Sequence, residues 1–138
     1  MKVFLILLLL ISCSSWGRVI ALKDYMFENP SLGENIAPYI SLRCSAIFYH
    51  ISEFNKDRDD LFKNLNKPQT QFSEMSLILT IKVLPDESEE KLYKKTSNTI
   101  NDMIDEYIEV SNTHYKNTGS NLTDFMMNDI EIYSSIIR

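Results

Sequence analysis

The chain has 138 residues, 14 basic against 19 acidic, with three Gly, four Pro, two Cys and two His. That length makes one domain. So few glycines, cysteines and histidines argue against a Gly-rich phosphate loop, a turn-dense β-sandwich, a disulfide scaffold or a zinc finger. The net charge of −5 lacks the basic footprint that nucleic acid requires.

The N-terminus reads as an export signal. Lys2 is followed by nine unbroken apolar residues, Val3 to Ile11, and then by the small polar run Ser12-Cys13-Ser14-Ser15. A charged start, a short apolar core and a small-residue end are the parts of a secretory leader. As a helix the apolar core would span about 14 Å, against a bilayer core of about 30 Å. An uncleaved anchor from Val3 to Leu22 would have to carry Arg18 and the polar cluster.

Three processing sites compete. Val19-Ile20-Ala21 places small or aliphatic residues at −3 and −1 and starts the mature chain at Leu22, making 1–21 the signal peptide and 22–138 a single helical domain. Ser15-Trp16-Gly17 is a second site. Leu10-Ile11-Ser12-Cys13 resembles the lipobox of bacterial lipoproteins; that resemblance implies a signal of 1–12 and a lipid on Cys13. Loss of 1–21 removes Lys2 and Arg18 and leaves 117 residues with a formal charge of about −7. The expected location is therefore outside the cytoplasm, periplasmic or secreted, or lipid-anchored to a membrane. Membrane contact is expected only through the signal or a lipidated Cys13.

The mature chain is patterned as helix. Ser31 and Glu34 have capping-box spacing beside Pro30, and a short turn near 31–36 precedes a helix over about 38–55. Ile36, Ile40, Cys44, Ile47, Ile51 and Phe54 form its stripe, and Tyr39, Leu42, Ala46 and Tyr49 widen it into the buried face of a central helix. A short helix over 57–66 carries Leu61, Phe62 and Leu65, with Pro68 as its stop. Residues 72–84 fit a helix through Phe72, Met75, Leu79 and Val83, or a strand; with no partner strand in the chain, helix is favoured.

Pro85 to Glu90 is a helix start, with Asp86 and Glu89 at capping spacing. Thr96, Ile100, Met103, Tyr107, Val110 and His114 continue it to a stop at Asn117-Thr118-Gly119. At about 46 Å it outruns the central helix, which suggests a kink near Ser111-Asn112-Thr113. Ser120 to Asp124 caps a last helix striped by Met126, Ile130, Tyr133 and Ile137; Met126 or Met127 is a core residue. The fold class expected is all-α, an irregular bundle of about four helices after the signal helix, with a short extra one.

Chemistry-bearing residues are few. Arg43 beside Cys44 could lower a thiol pKa, although Cys44 lies on the apolar stripe, where a buried inert thiol is the plainer expectation. In an oxidising compartment it could also link a homodimer. Arg43, His50 and Asp57 are spaced by seven, so Asp57 could orient His50. His50 and His114 could meet across two helices, but Ile47 and Ser111 stand where a Glu-x-x-His site needs its acids. Asp57-Arg58-Asp59-Asp60 resembles half a calcium loop, lacking the Gly and the terminal Glu.

Composition adds a hint of origin. Ala occurs three times, Lys outnumbers Arg ten to four, and Ile, Asn and Ser are frequent, as an AT-rich genome would write. Tyr39-Ile40-Ser41-Leu42-Arg43-Cys44-Ser45-Ala46-Ile47-Phe48, with the exported start, resembles small uncharacterised exported helical proteins of AT-rich marine bacteria and their phages; the resemblance implies no activity. The function expected is non-enzymatic binding of a protein or a small apolar ligand, with no cofactor or metal. The alternative is a metal- or redox-linked bundle or small enzyme using Cys44, His50 and His114.

Overall fold

A computed structural model describes residues 20–30 and 36–136. The apolar leader with Cys13, the Ser31–Glu34 capping box and Ile137 lie outside the described residues. Among those described, the regular structure is entirely helical: α1 (Leu22–Glu28), α2 (Ile36–Phe54), α3 (Asp59–Val83), α4 (Glu89–Thr118) and α5 (Asp124–Ile136). The all-α bundle is as the periodicity expects, with five described helices rather than about four.

The central element is α2, which packs against α3, α4 and α5, while α3 also packs against α4. Its stripe is deepest in the middle: Cys44, Ala46 and Ile47 are fully buried, Ile40 and Ile51 are half-buried, and Phe54 emerges at the end. The flanking face also turns inward, so Ser41, Arg43, Ser45, His50 and Ser52 are buried beside the aliphatics. The Ser45 hydroxyl donates to the Gln69 carbonyl of α3 at 3.2 Å, a polar tie between two helices that otherwise meet through Phe48 and Phe72, stacked at 5.9 Å.

Pro68 does not end a helix. The segments expected as 57–66 and 72–84 form one continuous α3 of 25 residues with Pro68 inside it. Proline leaves the carbonyl four residues earlier without its helical donor, a cost of about 3 kcal/mol in a helix interior. Packing of both halves of α3 outweighs it: Leu61, Phe62 and Leu65 are half-buried before the proline, and Phe72 and Ser76 are buried after it. The inward face after Pro68 is therefore Phe72, Ser76 and Thr80, and the expected Met75 and Val83 are exposed.

The helix-capping residue before α4 is Ser88, whose side chain accepts from the Lys91 N–H at 3.4 Å, rather than Asp86. Glu89 and Glu90 in the first turn suit the positive end of the dipole. Thr96, Ile100, Met103 and Tyr107 are buried as the spacing expects. The helix runs unbroken through residues 111–113. Joining the segments about Pro68 gives α3 a length near 38 Å, so α4 has a long neighbour and the mismatch behind the expected kink is reduced. Ser111 is buried and donates to the Asn121 carbonyl beyond the helix end.

Gly119 closes α4 in the left-handed region, with φ +76° and its N–H donating to the Tyr115 carbonyl at 2.8 Å. A Cβ there would meet no neighbour within 4 Å, so only backbone strain opposes one. Gly119→Ala is expected to lower the unfolding free energy by about 1 kcal/mol. Urea unfolding with an unchanged m-value would record it, and no change in midpoint would refute the capping role.

Candidate functional site

Arg43 is the largest fully buried side chain of the described residues. It leaves α2 toward α4 and α5. Its Nη2 donates to Asp129 Oδ2 on α5, and its Nε donates to the Tyr107 hydroxyl on α4 at 3.3 Å. Its guanidinium carbon lies 5.8 Å from the centre of the Tyr39 ring, within cation–π range. The second oxygen of Asp129 accepts the backbone N–H of Leu22, the first residue of α1, at 2.9 Å. Tyr25 of α1 stacks on Tyr39 of α2 at 3.9 Å, closing the N-terminal side. Four helices thus converge on one buried ion pair.

Burial opposes the charge on Arg43, but Tyr107, Tyr133, Asp129 and Tyr39 around it outweigh that and hold the guanidinium charged. Burial raises the Asp129 carboxyl, while Arg43 and the Leu22 N–H oppose the rise. An arginine cannot give up its proton at working pH, so the buried cation requires the ionised carboxylate. Burial likewise pushes the Tyr107 and Tyr133 phenols above their ordinary range.

The sequence candidates divide. Cys44 is buried, and burial with the nearby Asp129 drives its thiol well above the usual range. Arg43 does oppose that rise, but it is the weaker influence, so the thiol is the buried, unactivated one that its place on the apolar stripe suggests. His50 is also buried, and desolvation lowers its pKa to about 4. Neither ring nitrogen has a hydrogen-bond partner. The ring instead meets Phe54 edge-on at 4.7 Å and lies 6.1 Å from the Tyr107 ring. Asp57 does not orient it: α2 ends at Phe54, and Asp57 is exposed in the turn that follows.

His114 is half-buried near the end of α4, away from the Tyr107 turn that faces His50. Among the described residues no group of three or more His, Cys, Asp or Glu is placed to hold a metal ion. The Asp57–Asp60 run is exposed, and its Asp59 and Asp60 open the first turn of α3.

Asp129 is the member that sequence reasoning missed. A signal for it exists: it falls three residues after Met126 and four before Tyr133, both fully buried, so an acid stands inside the apolar stripe of α5. Arg43 likewise falls between Tyr39 and Ile47 at spacings of four. An acid and a base each embedded in a stripe are candidates for one buried pair.

A separate concavity opens between α3 and α4, with Tyr49 of α2 among its lining residues. Its volume is about 630 Å³. The apolar lining comes from Tyr49, Leu77, Tyr93, Ile100, Ile104 and Ile108, and Glu74 and Asp105 stand at its rim. Tyr93 and Ile108 are exposed, while Ile100 and Ile104 are buried beneath them. No known protein family, curated protein or solved structure matches this chain.

Proposed function

We propose that this chain is an exported, non-enzymatic binding protein that takes a small apolar ligand in the groove between α3 and α4. The observation that carries the reading is a separation. The nucleophile and base candidates Cys44 and His50 are sealed in the core, and the open concavity pairs aliphatic and tyrosine side chains with the polar side chains of Gln69, Ser73, Thr96, Ser97 and Asn101. A volume of about 630 Å³ falls in the range of small-molecule sites. The two rim carboxylates repel an anionic ligand and tolerate a neutral or cationic one. Export rests on the order of the leader: Lys2, the apolar run Val3 to Ile11, and the small residues after it.

Binding is tested with a neutral apolar dye such as Nile red, titrated against the exported protein. The expected result is saturable, micromolar binding that weakens about tenfold in Ile108→Asp, the loss of one aliphatic contact. Ile108 is exposed, so the thermal midpoint should barely move. Absence of binding, or binding indifferent to the substitution, refutes the groove.

A further inference from the structure

We infer that the export peptide is removed between Ala21 and Leu22, and that the α-ammonium so created is received by the buried carboxylate of Asp129. The inference rests on the export reading above. It adds the processing bond and a role for the new terminus in the fold.

The geometry is in place at the nitrogen itself. The Leu22 side chain is fully buried, so its backbone nitrogen is held in position, 2.9 Å from Asp129 Oδ1. The other carboxylate oxygen is occupied by Arg43, leaving Oδ1 facing α1. Val19 and Ala21 meet the small-residue requirement at −3 and −1. An ordinary amide N–H at this point supplies one donor to the carboxylate; a free terminus supplies the same hydrogen bond with a full positive charge.

The step balances as a hydrolysis. Water adds its oxygen to the Ala21 carbonyl carbon, the C–N bond breaks, and Ala21 leaves as a carboxylate on the leader. The Leu22 nitrogen gains two protons, becoming an ammonium. The Ala21 carbonyl had accepted the Asp24 and Tyr25 N–H groups, at 2.9 and 3.0 Å. Asp24 is exposed and Tyr25 half-exposed, so water can replace that acceptor. Ala21 itself is half-exposed, and its departure opens the remaining ammonium protons to solvent.

The charged and titratable groups gathered about Asp129, which accepts this nitrogen's hydrogen bond, come from four helices. From α1 there are Asp24 and Tyr25, from α2 Tyr39, Arg43 and Cys44, from α4 Tyr107, and from α5 Asp129 and Tyr133. Arg43 is the like charge and shares the one negative charge of Asp129 with the ammonium; Asp24, in the first turn of α1, supplies the second carboxylate.

The test begins with the full precursor, secreted with its own leader from a bacterial host. Its product is read by intact mass and N-terminal sequencing. The expected product starts at Leu22. A product starting at Arg18, or at a lipidated Cys13, overturns the inference and leaves export standing. An uncut, retained precursor overturns both. Next, chains beginning at Leu22 and at Ala21 are compared by urea unfolding. The Leu22 chain is expected to have a folded-to-unfolded ratio about tenfold higher at pH 6, the effect of one pKa unit on the ammonium. Because the carboxylate raises that pKa in the folded chain, the advantage is present at low pH and lost above about pH 9. Equal stability of the two chains at pH 6 overturns the inference without requiring any variant of Asp129.

Discussion

Arg43→Ala is expected to lower the unfolding free energy by about 3–5 kcal/mol, the cost of leaving one member of a buried pair alone. In the full-length chain the substitution strips Asp129 of its cation while the carboxylate stays buried with only the Leu22 N–H and its surroundings. It also removes the donor to the Tyr107 hydroxyl and empties the volume of the largest fully buried side chain. Asp129→Ala should cost as much by the reverse route, since Arg43 is then an unpaired buried cation. Replacing both together, Arg43→Leu with Asp129→Leu, should recover most of the loss, short of about 1 kcal/mol for the Leu22 N–H left without its acceptor. Urea unfolding of the three variants checks the pattern. A double variant as unstable as the sum of the singles would show that shape, rather than charge pairing, governs the cluster.

Acidification from pH 6.5 to pH 4 is expected to withdraw about 3 kcal/mol of stability through His50 alone. Burial lowers its pKa in the folded chain from 6.5 to about 4. Across that interval the unfolded state binds a proton that the folded state refuses. Stability therefore rises with pH there, is fully present above 6.5, and is lost as pH falls toward 4. His50→Leu should abolish this slope. It should also stabilise the protein at pH 7 by about 1 kcal/mol, because both buried ring nitrogens lack partners. Unfolding midpoints of wild type and variant at pH 7, 5.5 and 4 decide the matter: parallel pH profiles would acquit His50.

The helices were readable because their stripes are local. Ile100, Met103 and Tyr107 announce the buried face of α4 by spacing alone, and Met126 rather than Met127 takes the core position of α5. Pro68 misled because its rule is equally local: it costs one hydrogen bond, whereas the faces that pay for it lie on α2, outside any window around residue 68. The ion pair was less legible still. Arg43 and Asp129 are 86 residues apart, and no periodicity reports which charge answers which. The spacing of seven makes Asp57 an available partner for His50, but the end of α2 at Phe54 carries Asp57 off that face. The groove needed the placement of three helices, and neither α3 nor α4 carries it alone.

The separation of Arg43 from Asp129 also sets an order of events during synthesis. The guanidinium is made early and its counter-charge follows 86 residues later, roughly 4–17 s at ordinary elongation rates. Until then α2, α3 and α4 lack the carboxylate that answers Arg43. The clasp that completes the cluster joins Leu22, at the head of the first described helix, to α5, the last described one. The four-helix cluster about Arg43 therefore closes only once α5 has been made.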